Sequence, residues 1–247
     1  MAVLETKNLT HIFPDSTIGI NNISIKINPS EFIIITGANG SGKTVFIWHL
    51  NGLLAPTKGT VLLDGEAISK DLTTTRKKIG IIFQNSDSQI VGQTVADDVA
   101  FGPENLNLPR AQVEATVAQA LEATGLTQYA NKNPHTLSGG QKRKLAIAGV
   151  LAMKPEIIIL DEPFTGLDYA GVIQTLNQIL TLHKSGHTII LVTHELEKAL
   201  AHASRLVVFQ KGTLVEDGTP QDIINRVSEY SVRKPNVNKV SDATWLK

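Results

Sequence analysis

Cysteine is missing altogether from these 247 residues, which excludes a disulfide framework and any thiolate-held metal. Net charge is missing too, because 23 Lys and Arg stand against 23 Asp and Glu. A protein that grips nucleic acid by its phosphates carries a basic face or tail, so that class is set aside. Long apolar runs are also absent. Stretches such as Phe32–Ile35, Ile157–Leu160 and Ile189–Val192 fall far short of the roughly 20 residues a membrane helix requires. The opening MAVLETKNLT lacks the charged-then-apolar pattern of a secretory signal, and no internal repeat or low-complexity tract appears. The expectation is a soluble chain, compatible with a reducing cytosol, whose membrane role, if any, comes through a partner.

What is present is a change of pattern along the chain. LETKNLTHIF and ISIKI (Ile23–Ile27) alternate as half-exposed strands do. FIIITG is a continuous apolar run ending in glycine, the form of a buried strand feeding a loop. A helix is expected over Val45–Leu54, a hairpin at Asp64-Gly65 and a strand over Ile79–Phe83. From about Val91 to Met153 helix-period patterns take over, as in AQVEATVAQALEATGL and QKRKLAIAGVLAM. Strand patterns return at Glu156–Leu160, His187–Val192 and Arg205–Phe209, with helices between, then a hairpin at Lys211-Gly212 and a short helix over Pro220–Val227. This alternation implies an α/β fold with a mostly parallel sheet covered by helices. The domain is read as residues 1–227, with a helical insert at about 91–153. Residues 228–247 read as a polar, loosely ordered tail.

Two glycine-rich turns carry the chemistry. GANGSGKT, at Gly37–Thr44, lies between a buried strand and a helix. Gly37, Gly40 and Gly42 let the backbone curl so that N–H groups face phosphate oxygens, reinforced by the helix N-terminus. Lys43 is placed to neutralise the β and γ phosphates and the Thr44 hydroxyl to ligate Mg²⁺. IIILDE then delivers Asp161 to the carboxyl edge of the sheet, as a second Mg²⁺ ligand through water, and Glu162 beside it as the base that orients attacking water. LSGGQ, at Leu137–Gln141, is the second turn. Ser138 can cap the helix that follows, and Gly139 and Gly140 leave its end bare for an anion. One chain has no use for both turns on one nucleotide. Two copies facing each other would each complete the other's site.

With these residues the chain resembles the ATP-binding subunit of an ABC transporter, from about residue 3 to 227. The resemblance implies a phosphate-loop NTPase of RecA-like type with an N-terminal antiparallel β subdomain and a helical signature insert. It implies ATP and Mg²⁺ as cofactors, with the whole loop Gly37, Ala38, Asn39, Gly40, Ser41, Gly42, Lys43 and Thr44 on one side of the nucleotide. Ser138, Gly139, Gly140 and Gln141 would face it from the other copy. Phe13 matches the adenine-stacking aromatic, a contact tolerant of base identity, so weak discrimination of GTP from ATP is expected. Gln84 matches the glutamine linking Mg²⁺, water and the membrane partner. Asp168 in TGLD matches the aspartate that crosses the dimer, and His194 in LVTHE matches the switch histidine on the γ-phosphate.

IGIIFQNSDSQIVGQTVADDVAFGPENLNL, with LSGGQKRKLAIAGVLAMKPE, is similar to the energy-coupling-factor and cobalt-type importers. Phe83, Gln84, Asn85, Asp87, Gln89 and Ile90 meet that subfamily's pattern. Ser86 stands where it usually has proline, which implies a looser local backbone. The chain lacks the longer C-terminal extension of many relatives, so dimer contacts from that region are not expected. The implied function is an ATPase that drives import of a vitamin or transition-metal ion, peripheral on the cytoplasmic face of the membrane. Its implied partners are a transmembrane scaffold, a small integral substrate-binding subunit, and a second copy or paralogous ATPase, with no nucleic acid. A conventional ABC importer or exporter ATPase and a soluble non-transport ABC protein are the alternatives. Elsewhere, His183 and His187 read as ordinary surface histidines, and Arg76-Lys77-Lys78 and Lys142-Arg143-Lys144 as solvated helix faces.

Overall fold

A computed structural model describes residues 3–246. Its centre is a run of strands with no polar face: β3 (Phe32–Thr36), β7 (Ile157–Asp161) and β8 (Thr188–Val192) are buried at every position. Such strands need cover on both sides, which parallel sheets obtain from crossover helices. Together with β6 (Ile79–Ile82) and β9 (Arg205–Gln210) they form a parallel sheet in the order β9-β3-β8-β7-β6, edged by antiparallel β10 (Thr213–Gly218). A second, antiparallel sheet contains β1 (Leu4–Ile12), β2 (Ile18–Ile27), β4 (Lys58–Leu63) and β5 (Glu66–Ala67).

Alternation along each strand sorts the core into two layers. Ile33 and Ile35 pack with α1 (Lys43–Leu50) and the antiparallel sheet. Phe32 and Ile34 pack with α5 (Gly139–Leu151) and α6 (Tyr169–Lys184), and α2 (Leu72–Lys78) leads into β6. A third core joins α3 (Val95–Asn105), α4 (Arg110–Thr124) and α5, centred on Val95, Val99, Leu121 and Leu145. That is the expected insert. Both hairpins use the turn chemistry read from the sequence. Asp64 and Gly65 have φ of 52° and 86°, and Lys211 and Gly212 have φ of 48° and 77°, as a type I′ turn requires. The first helix begins at Lys43, not Val45, because the last residues of the glycine loop, Lys43 and Thr44, already form its first turn.

Three sequence expectations fail. The stretch after 228 is not loosely ordered. Val232 and Ala243 are buried in the α6-side core, with Tyr230, Val237, Val240, Trp245 and Leu246 packed against it. Trp245 covers the Lys198 ammonium at 4.7 Å from the ring centroid, with Phe164 on that ammonium too at 5.6 Å. Scattered aromatic and aliphatic residues without a period made this docking invisible to pattern reading. Arg143 does not belong to a solvated face but is buried, for reasons given below. Finally, Ser86 does not loosen its loop. It starts a short 3₁₀ turn in which Asn85 Oδ1 accepts from Asp87 N–H at 3.0 Å and Ser88 Oγ donates to Asn85 O at 2.7 Å.

If the tail is a strap, Trp245→Ala removes a cation–π contact and apolar packing together. It is expected to cost about 2 kcal/mol and to lower the melting temperature by about 5 °C for a chain of this size. Calorimetry on the full chain checks this; an unchanged melting temperature means the strap contributes nothing.

Candidate functional site

Parallel strands release their loops at one edge, and here the loops meet in a cleft of about 430 Å³. It is lined by Phe13, Asn39, Gly40, Ser41, Gly42, Lys43, Thr44, Gln84, Asp161, Glu162 and His194. β3 supplies the glycine loop, β7 ends at Asp161, and His194 lies just beyond β8. Gly37 and Ala38 stand behind the lining, where their carbonyls accept from Lys43 Nζ at 2.7 and 3.0 Å. Gly37 has φ of 148°, and a Cβ there would run into the Phe209 carbonyl oxygen and Ser41 Oγ, so only glycine fits.

The charged groups are held close and dry. Thr44 Oγ1 donates to Asp161 Oδ2 at 3.2 Å. Burial pushes the Asp161 carboxyl above its usual range, and the neighbouring Glu162 adds to this while Thr44 and Lys43 oppose it. Burial likewise lowers the Lys43 ammonium, against the pull of Glu162 and Asp161. Among the described residues, Asp161 Oδ1, Glu162 Oε2 and Ser41 Oγ are buried without a hydrogen-bond partner. Unsatisfied oxygens beside a hydroxyl and a lysine form the hard-donor set that suits Mg²⁺ and phosphate. Glu162 also holds φ of 46°, a region costly for a residue with a Cβ. It is kept there by its N–H donating to Val192 O at 2.9 Å and its carbonyl accepting from Thr165 at 3.2 Å. His194 Nδ1 lies 2.9 Å from Glu162 Oε1. A carboxylate only accepts, so that nitrogen carries the proton.

The Phe13 end of the cleft has a support that sequence reading missed. The Phe13 ring packs on Gly19, where a Cβ would run into it, with His11 edge-on at 4.7 Å. His11 in turn stands 3.1 Å from His49 of α1, nitrogen to nitrogen. His49 Nδ1 lies 2.7 Å from the Val45 carbonyl and must donate to it, so its Nε2 accepts from His11. The available signal was a histidine set among the apolar residues of Phe46–Leu50.

Ser138, Gly139, Gly140, Gln141 and Asp168 do not line this cleft. Ser138 and Gln141 form a reciprocal capping box on α5, with Gln141 Oε1 accepting from Ser138 N–H at 2.9 Å. Asp168 caps α6, accepting from Gly171 N–H at 2.7 Å. His183 and His187 each face a different backbone carbonyl, of Ser30 and Pro155, and so do not pair.

The model of one family, described as ABC transporter, matches residues 20–165. The chain belongs to that family. It is 43% identical to the energy-coupling factor transporter ATP-binding protein EcfA of Methanocaldococcus jannaschii, over 96% of this chain and 85% of that one. It is 44% identical to the protein of the same name from Methanothermobacter thermautotrophicus, over 90% of this chain and 72% of that one. Among solved structures it resembles cbiO1 of Clostridium perfringens, described as part of the ABC transporter complex cbiONQ. The TM-score is 0.82 with 34% identity, and 92% of each chain is covered. As an ABC transporter ATPase the chain binds ATP and hydrolyses it. Among the described residues no helix is long and apolar enough to cross a membrane.

The raised Asp161 has a consequence for stability. The folded state holds that proton more tightly than the unfolded chain does, so the contribution favours folding in acid and is lost as pH rises through the raised value. At neutral pH the ionised, half-satisfied carboxylate is a cost. Asp161→Asn is expected to raise the melting temperature of the nucleotide-free ATPase by about 2–4 °C at pH 7, and the gain should shrink toward pH 4. A lower melting temperature at pH 7 would contradict this.

Proposed function

We propose that this ATPase is the motor of an energy-coupling-factor importer, acting as a pair of subunits on the cytoplasmic face of a membrane. The cargo is a vitamin or a transition-metal ion such as cobalt. The observation that carries the paired arrangement is an open space. A Cβ on Gly139 or Gly140 would meet nothing within 4 Å, and neither residue has positive φ. Nothing inside the chain requires glycine at these two positions. What they leave room for therefore lies outside the chain, and the capped end of α5 that they form is suited to phosphate.

On this reading ATP lies between one subunit's Gly37–Thr44 loop and the other's Ser138–Gln141 turn, with Phe13 stacking on the base and Asp168 crossing between subunits. Lys43 Nζ would move from the Gly37 and Ala38 carbonyls to the β and γ phosphates. Thr44, Asp161 and Gln84 would hold Mg²⁺, which would supply charge stabilisation for phosphoryl transfer. Glu162 takes a proton from the attacking water, and the strained backbone fixes where its carboxylate stands. The His194 Nδ1–H to Glu162 bond keeps base and switch histidine in register. Cleavage of the γ-phosphate removes the ligand that both subunits share, and they separate.

The link to the membrane is supported by an apolar groove of about 500 Å³ between the sheet and the helical insert, lined in part by Leu53, Phe83, Val91, Phe101 and Met153. Val91 and Phe101 are more than half exposed. A transmembrane scaffold would press a segment into it, and a small integral subunit would bind the cargo. Co-purification of both from detergent-solubilised membranes tests this assignment. Recovery with ribosomes, or alone, would overturn it.

Two variants test the motor itself. Glu162→Gln is expected to lower hydrolysis by about a hundredfold or more and to accumulate as a closed dimer in ATP by light scattering. Normal turnover from a monomer would sink the assignment. Gly140→Asp should leave the melting temperature within about 1 °C, since it fills open space, and should leave ATP binding intact while abolishing the dimer that Glu162→Gln otherwise accumulates. Dimer formation by the double variant would refute the facing arrangement.

A further inference from the structure

A guanidinium buried without a carboxylate needs a reason, because desolvating a charge is costly unless fixed dipoles replace the water. Arg143, one turn into α5, is 5% exposed and forms no ion pair among the described residues. Its Nη1 donates to the Phe83 carbonyl at 3.2 Å and its Nη2 to the Gln84 carbonyl at 3.0 Å. Its Nε has no partner among the described residues. The two bonds span consecutive carbonyls, a fit for a planar fork that an ammonium cannot reproduce. The neighbouring Lys142 forms an ion pair with Asp87 in the same loop. From the sheet side, Gln89 clasps the loop's base, accepting from Phe83 N–H at 3.1 Å and donating to the Ile81 carbonyl at 3.0 Å. The loop that presents Gln84 to the nucleotide cleft is thus bolted to the same helix whose first turn carries Ser138–Gln141.

We propose that Arg143 is a positioning residue that ties Gln84 to the helix beginning at Ser138, so that engagement of that helix end by the partner subunit's nucleotide is reported to this subunit's own site. Gln84 cannot keep its place if α5 shifts relative to β6 unless both bonds to Arg143 break. The inference rests on the reading that Gln84 acts in hydrolysis and that the Ser138 turn faces the partner's nucleotide. It adds the part that makes the two sites interdependent. A lysine at 143 can reach one carbonyl but not both, so charge and position are separable.

The test uses the full chain with ATP and Mg²⁺, as wild type, Arg143→Met, Arg143→Lys and Gln84→Ala, with Arg143→Met also combined with Gln84→Ala. Arg143→Met is expected to lower kcat about tenfold or more, to leave KM within about twofold and to reduce the Hill coefficient toward one, with Arg143→Lys intermediate. In the Gln84→Ala background the same change should produce no further loss of kcat. Amide exchange over residues 83–90 should quicken about tenfold or more in Arg143→Met, with β3 and β8 unaffected. If Arg143→Met does not fold, Arg143→Lys carries the same expectations at reduced size.

An equal loss of kcat in the presence and absence of Gln84 would overturn the proposal, since the arginine would then act by general stability. Unchanged exchange over 83–90 would overturn it as well. If Gln84→Ala alone leaves kcat untouched while exchange over 83–90 quickens in Arg143→Met, the role given to Gln84 fails and the tie between loop and helix stands.

Discussion

A parallel strand buried on both faces has nowhere to put a polar side chain except its ends. Most of the molecule depends on that constraint. β3, β7 and β8 are apolar through their middles, so their first polar positions fall together at the carboxyl edge: the glycine loop after Thr36, Asp161 with Glu162, and Thr193 with His194. Register between β7 and β8 sets Asp161 beside Val192. The next residue, Glu162, is then turned into its strained conformation by the bond to the Val192 carbonyl. The site is therefore built by the same burial that builds the core, and its unsatisfied oxygens are held at the edge by rigid neighbours on both sides.

What could be read in the sequence was whatever is local. Buried strands declare themselves as apolar runs, type I′ turns as Asp64-Gly65 and Lys211-Gly212, and the phosphate loop as glycines at fixed spacing between strand and helix. The family and its ATPase chemistry followed from motif order. What escaped was decided by distant partners. Arg143 sits in a basic run that has the look of a wet helix face, and only the carbonyls of Phe83 and Gln84 explain why it turns inward. The His11 and His49 pair joins a strand to a helix across the fold. The stretch after 228 has no period because it adds no α-helix or strand, only short 3₁₀ turns; it fills irregular gaps with single residues such as Val232 and Ala243.

That stretch and the segment after His194 are closely bound. Ala201 N–H donates to the Ala243 carbonyl, His202 Nε2 meets Thr244 Oγ1 at 2.8 Å, and Trp245 lies against both Lys198 and Tyr169. Tyr169 follows Asp168 directly. The segment that follows His194 and the head of α6 at Asp168 thus share one backing. Tyr169 and Trp245, with ring centroids 5.4 Å apart, make that backing a packed aromatic contact.

The central strand β3 is threaded between β8 and β9, both made long after it on the chain. Contacts so remote in sequence form slowly, and their closure entropy comes before any reward. During synthesis the strand that leads into the glycine loop has no neighbours to pair with until residues 188–210 have emerged from the ribosome. Its Phe-Ile-Ile-Ile face remains bare for that interval, a hazard of the kind chaperones handle. The topology that brings the loops of the cleft together thus also ties that edge to strands made late, so a chain cut short before β8 has a glycine loop with no sheet to hold it.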